Sequence, residues 1–195
     1  MVPAMTVTVR PLVAEEIEAA LPALGRLRIR VFREWPYLYE GTEAHERDYV
    51  RAFARAEHAV LVAAFDDDAI VGAATASPMT AQEPYIRDLF PDAARHFYFG
   101  ESVLLPDYRG RGIGHAFFDH REAQARACGA EIATFCGVVR PDDHPMRPAD
   151  FRPLDPFWRA RGYAPVEGLV SDYHWQDLGE SEQSAHPMQF WSRSL

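Results

Sequence analysis

The sequence has no lysine, no asparagine and only two cysteines in 195 residues. All 20 basic residues are therefore arginines, and 29 acidic residues outweigh them to give a formal net charge of −9. That balance argues against a nucleic-acid partner, because a phosphate backbone demands basic side chains clustered on one face. A cationic small molecule suits it better. Cys128 and Cys136 are too few for a disulfide framework and fall outside any CxxC or metal-type spacing, so reduced thiols and no metal centre are expected. No apolar run approaches the length of a membrane span, and residues 1–10 lack a charged start followed by an apolar stretch. The expectation is a cytoplasmic protein with no membrane partner. Without lysine, the Walker A phosphate loop is excluded, since it requires Gly-Lys.

What is present suffices for a core: 48% of the residues are apolar. No repeat, low-complexity tract or linker divides the chain, so residues 1–195 are read as a single domain. Residues 6–10 alternate as a first strand. Residues 17–32 have helical spacing, with Pro22 and Gly25 suggesting two pieces. Trp35-Pro36-Tyr37-Leu38-Tyr39 gathers three aromatic rings on a stretch that Pro36 keeps out of a helix, either a cap over the core or a binding loop. Thr42 is the N-cap expected of a helix ending near Ala56. Residues 59–65 and 70–76 form a hairpin around Asp66-Asp67-Asp68. Residues 79–95 give short helical turns, with Tyr85, Ile86, Leu89 and Phe90 facing inward.

Residues 97–105 read as a strand, and the helix after them carries Ile113, Ala116, Phe117, His120, Ala123 and Ala127 on one face until Gly129 ends it. A strand at 131–139, a proline-rich connection at 140–156, a short helix at 157–161 and a last strand near 169–175 follow. The apolar segment 186–191 is expected to dock on this chain or on a partner subunit, the second arrangement being a homodimer.

A strand closed by Pro106, then Arg109-Gly110-Arg111-Gly112-Ile113-Gly114 opening a helix, is suited to holding phosphate. Backbone N–H groups there converge on one concavity, glycines admit close approach, and the helix dipole favours negative charge. Arg109 and Arg111 can add charge-assisted bonds. The other reading is a turn that needs glycine for geometry alone. The glycines fall as GxGxG, so the GxGxxG spacing of dinucleotide folds is missing.

Val103-Leu104-Leu105-Pro106-Asp107-Tyr108 together with that loop closely resembles the acyl-CoA-binding segment of the GNAT N-acetyltransferase superfamily. Phe157-Trp158-Arg159-Ala160-Arg161-Gly162-Tyr163 resembles the family's late helix, and the order of elements agrees along nearly the whole chain. The resemblance implies an α/β (mixed α+β) domain with a mostly antiparallel sheet of six or seven strands flanked by helices. It implies transfer of an acetyl or other short acyl group from acetyl-CoA, or another acyl-CoA, to a small acceptor, an amine, within a ternary complex. By the same resemblance Arg109 to Gly114 hold the pyrophosphate, the backbone of Val103, Leu104 and Leu105 takes the pantetheine arm as an added strand, and Trp35, Tyr37 and Tyr39 line the acceptor pocket.

Two departures bear on proton transfer. No asparagine follows the strand at 131–139, and Trp158 stands where the family often has a tyrosine that protonates the leaving thiolate. An indole N–H donates a hydrogen bond but has no useful acidity. A non-catalytic acyl-CoA sensor or partner subunit is therefore the alternative. For the base that a neutral amine nucleophile requires, Glu101 is the first candidate, re-aimed by a bulge at Gly100, against a plain solvent-facing carboxylate. Tyr98, of the other strand parity, and His144 in the long connection are the remaining candidates.

Overall fold

Along residues 7–195, which the computed structural model describes, the elements run β1 (Val7–Pro11), α1 (Ala14–Phe32), α2 (Glu43–Ala54), β2 (Val60–Asp66), β3 (Ala69–Pro78), α3 (Pro84–Arg87), β4 (His96–Leu104), α4 (Ile113–Ala127), β5 (Ile132–Val138), α5 (Asp155–Ala160), β6 (Ala164–Trp175) and β7 (Ser184–Ser194). Thr6, expected to begin the first strand, lies outside the described residues. The seven strands form one sheet in the order β1-β2-β3-β4-β5-β7-β6, antiparallel except where β4 meets β5. This is the mixed, mostly antiparallel sheet flanked by helices that the sequence resemblance implied. No helix among the described residues is long and apolar enough to cross a membrane.

Each face of the sheet buries one helical layer. Leu21, Leu24 and Leu27 of α1 and Val50 of α2 pack on Leu61, Ala63, Ala73 and Val103. On the opposite face, Ile113 and Phe117 of α4 cover Val62, Ala64, Val71 and Ala74, while Phe118 and Ala125 meet Phe97, Phe99, Ala133 and Phe135. A fully buried side chain of this size contributes about 1.5–3 kcal/mol through lost apolar surface.

Four readings of the sequence need correction. First, α1 is one continuous helix despite Pro22 and Gly25. Gly25 is the crossing point with α2, where a Cβ would approach the Arg47 Cγ to 3.2 Å, so the glycine serves close packing and breaks nothing. Second, Tyr85 is 58% exposed and its ring edge meets Tyr173, whereas Ile86 and Phe90 are buried as expected. Third, the buried face of α4 is Ile113, Phe117, Phe118, Arg121, Glu122 and Ala125, leaving Ala123 and Ala127 exposed. Fourth, the strand near 169–175 is not the last, because residues 184–194 form β7 between β5 and β6; of the two dockings expected for the apolar segment, the one on its own chain is found.

At the start of α1 the Glu16 carboxylate accepts Arg10 through both oxygens, at 2.8 and 2.7 Å, and also the Val13 N–H at 2.9 Å. The Arg10 bond first, and the Val13 amide second, hold this carboxyl down to about 2. A carboxylate depressed in the folded state contributes stability fully present above its unfolded value of about 4.3 and lost as pH falls through the folded one. An NMR titration of the Glu16 side-chain carboxyl should show its midpoint well below the ordinary glutamate range, and Arg10→Ala should move it back towards that range, the Val13 amide still holding it down.

Candidate active site

β4 and β5 are paired only over three residues, His96 to Tyr98 against Ile132 to Thr134. Beyond them the pairing stops, and this break in the ladder is the cleft between β4 and β5. The bulge predicted at Gly100 is present: the β3 register steps from Ala76–Phe99 to Thr75–Glu101 and skips Gly100. Its effect is visible in parity, since Phe99 packs towards α4 while Val103, four residues on, packs towards α1. One extra residue has turned the strand over. Glu101 is thereby placed on the α1–α2 face, beside the cleft. Arg121, buried on α4, fixes the bulge from the other side by donating to the Glu101 carbonyl at 3.1 Å and the Phe117 carbonyl at 3.2 Å, with its guanidinium over Phe99 and Phe118. Burial pulls it down to about 10, against the pull of Tyr163 and nearby carboxylates.

Leu105 donates to Val71 at 3.0 Å, which fixes the alternation along β4. Val103 and Leu105 turn their backbone groups to β3, and Ser102 and Leu104 turn theirs to the unpaired edge. That unpaired edge leads to the glycine loop. Gly110 and Gly112 have φ of 75° and 82°, left-handed values that a side chain disfavours. Among the described residues, no backbone N–H of residues 110–115 meets a backbone acceptor, and the N-cap of α4 has no side-chain partner. A Cβ at Gly110 or Gly112 would touch nothing within 4 Å, so the concavity is open. An anion with several oxygens fits such a row of donors at a helix start. Arg109 itself is engaged, through Nη2 with Glu34 at 2.9 Å and through Nε with the Leu104 carbonyl at 3.2 Å. Arg111 lies over the Tyr108 ring.

On the α1–α2 side of the cleft the Glu101 carboxylate is ion-paired with Arg28, which also binds Glu46 at 2.6 Å. Side-chain exposures of 10% for Arg28, 6% for Glu101 and 1% for Glu46 make this an internal charge cluster. Burial alone would lower the Arg28 guanidinium, but Glu101, Tyr49 and Glu46 together hold it above its ordinary value. Tyr39 donates to Glu46 at 2.7 Å, so of the three aromatic residues singled out in the sequence it braces the cluster. Tyr37 stands between Phe32 and Trp175, ring centroids 4.9 and 5.8 Å away. Its hydroxyl is pushed up by burial, and further by Cys136 and Glu101. Trp35 lies under the long connection, 5.0 Å from His144 and 5.9 Å from Phe151.

Tyr98 faces the same side as Tyr37. Its hydroxyl is 3.2 Å from the Cys136 sulfur and 3.4 Å from the Tyr173 hydroxyl. Burial, with Cys136 and Tyr173 adding to it, pushes Tyr98 well above an ordinary phenol, so it remains protonated and can donate but not abstract a proton near neutral pH. Tyr98, between Phe97 and Phe99 of the α4 face, and Glu101, past the bulge, thus turn to the same face of the sheet, opposite α4. His144 lies in the long connection, its Nδ1 accepting the Met146 N–H at 3.2 Å, with no hydrogen bond to either Glu101 or Tyr98 among the described residues. Trp158 packs on Phe135 and Trp191 at 5.0 and 5.1 Å, against β5 on the α4 side of the sheet. Arg28, Glu46, Cys136 and Tyr173 were not singled out in the sequence.

The model of the acetyltransferase (GNAT) family matches residues 26–149 of the chain. No curated protein matches it. Among solved structures, similar ones include the ribosomal-protein-alanine N-acetyltransferase of Brucella melitensis, at 15% identity and TM-score 0.66, covering 96% of this chain and 99% of that one. yncA of Salmonella typhimurium, solved with its cofactor acetyl-CoA, has 10% identity and TM-score 0.65 over 97% of this chain and 94% of that one. An aminoglycoside 6'-N-acetyltransferase complexed with coenzyme A has 14% identity and TM-score 0.62 over 96% of each chain. At these identities the likeness speaks for a shared fold.

Proposed function

Because the chain belongs to the acetyltransferase (GNAT) family, we propose that it transfers an acetyl or other short acyl group from acyl-CoA to a small amine by direct attack in a ternary complex. The observation that carries this reading is the row of unpartnered N–H groups at residues 110–115, continuous with the unpaired edge of β4 at the cleft. The loop would hold the pyrophosphate, and the edge from Val103 to Leu105 would take the pantetheine arm through the outward Leu104 N–H, the Leu104 carbonyl being already held by Arg109. A thioester lying in the cleft would then have Glu101, Tyr98 and Tyr37 beside it.

The amine must lose a proton before or as it attacks, and Glu101 is the carboxylate in reach of the cleft. Its partner Arg28 fixes its orientation. Tyr98 and Tyr37 supply hydroxyl donors that stay protonated. The leaving thiolate, of ordinary pKa about 8.5, departs without an obligatory acid, which accommodates Trp158. The acidic cluster and the aromatic walls favour a cationic amine. His144 bonds neither Glu101 nor Tyr98 and is given no part in the proton transfer.

Thiol release from acetyl-CoA with a panel of spermidine, an aminoglycoside and an alanyl peptide tests the reading. Tight acetyl-CoA binding with no turnover on any amine would favour a sensor, and stabilisation by ATP or NAD rather than CoA would reject the site altogether. Within an active enzyme, Glu101→Gln should lower kcat about a hundredfold or more, the scale of general-base catalysis. Tyr98→Phe should leave the acid limb of the pH–rate profile where it was, and a moved limb would give Tyr98 the base role instead.

A further inference from the structure

Arg140, the residue that leaves β5 for the long connection, is almost fully engaged. Its side chain is 8% exposed and that of its partner Asp177 16%. Nη1 and Nη2 reach the two Asp177 oxygens at 2.7 and 2.8 Å, while Nε donates to the Pro36 carbonyl at 2.9 Å and Nη2 to the Tyr37 carbonyl at 2.8 Å. Trp175 donates its indole N–H to the same Tyr37 carbonyl and to Asp177, each at 3.0 Å. Backbone bonds complete the junction, with Leu178 donating to Leu38 at 2.7 Å and Glu40 to Gln176 at 2.9 Å. Two consecutive carbonyls of the aromatic loop are thus gripped by Arg140, just past β5, and one of them also by Trp175, at the end of β6, while Asp177 from the turn after β6 holds both donors. Leu38, next to Tyr37, has a φ of 55°, a conformation that persists in a non-glycine residue only where surroundings enforce it.

An ion pair buried to this degree costs solvation and is kept only when its remaining donors are satisfied; here they are satisfied by the loop that carries Tyr37. We propose that Arg140 and Asp177 are positioning residues for the acceptor, their clamp on Pro36 and Tyr37 setting where the Tyr37 hydroxyl stands in the cleft. The proposal rests on the acyltransferase reading of the cleft. Tyr37 belongs to no regular element, so its position depends on these carbonyl bonds, and a displacement of about 1 Å at a substrate-facing group is enough to impair binding or turnover. The clamp also joins the segment after β5 to the loop after α1.

Arg140→Lys retains a charge opposite Asp177 but offers one ammonium for a carboxylate and two carbonyls. Deuterium uptake should rise in residues 35–41 and not in α4, while the Kd for acetyl-CoA stays unchanged. The KM for the fastest amine of the panel above should rise about tenfold or more, the scale of a lost bond to a charged group, with a smaller change in kcat. In a Tyr37→Phe background the same substitution should lose most of its effect on KM, since the two act through one hydroxyl. Unchanged uptake in 35–41, additive effects in the double variant, or an acetyl-CoA Kd that moves with the amine KM would each overturn the proposal. Failure of the unsubstituted protein to bind acetyl-CoA would instead reject the site reading, and the exchange measurement would still decide whether the clamp holds the loop.

Discussion

Gly112→Asp should raise the Kd for acetyl-CoA about a hundredfold or more, as measured by calorimetry, while leaving the protein folded. Gly112 is the N-cap of α4, with φ of 82°, amid N–H groups that have no backbone acceptor. A carboxylate set there, about 5 Å from a phosphate at an effective dielectric of about 20, opposes it by about 3 kcal/mol, which is about two orders of magnitude in affinity. It would also satisfy the amides that the ligand needs. Any side chain at this φ adds about 1–2 kcal/mol of backbone strain. Gly112→Ala shares that strain without the charge, and a Cβ there meets nothing within 4 Å. The alanine variant should therefore lose a little stability and keep most of its affinity for acetyl-CoA. Equal losses of affinity in the two variants would count against an anion at this place.

Arg28→Ala should be the most damaging change to stability, about 3–5 kcal/mol in denaturant unfolding, the usual consequence of removing one member of a buried ionic group. At about 2–4 °C per kcal/mol for a domain of this size the melting point should fall by about 10 °C. The guanidinium bonds Glu46 at 2.6 Å and pairs with Glu101, and its removal leaves two carboxylates facing one another in an enclosed space. It also lies over the Tyr49 ring at 4.2 Å. Arg28→Lys should recover only part of the loss, because one ammonium cannot reach both carboxylates with the same geometry.

The segment proposed to hold phosphate was legible because its chemistry is local. Gly110 and Gly112 state the backbone conformation directly, and the bulge at Gly100 followed from a glycine inside a strand. The charge cluster was hidden because arginine and glutamate on helices are usually solvated. A signal was nevertheless present: Arg28 is four residues after Leu24 and seven after Leu21, and Glu46 four before Val50, so each sits on its helix's buried stripe. Arg121 was missed on α4 in the same way. The meeting of Tyr98 with Cys136 and Tyr173 joins three strands and has no sequence signature. β7 was obscured by Pro187, since proline is rare inside a central strand. Its carbonyl accepts from Val139 at 2.8 Å just where β5 ends, so the missing donor falls at the frayed end of the ladder.

That late strand has a consequence for how the protein is made. β5 and β6 leave the ribosome before the segment that must lie between them, so this half of the sheet cannot close during their synthesis. Until residues 184–194 emerge, β5 has an open edge towards its future neighbour, and β6 has no partner at all. A chain interrupted before Ser184 would keep the glycine loop intact yet expose two sticky strand edges. Such a fragment should accumulate as aggregate, making the intact far end of the chain a condition of solubility.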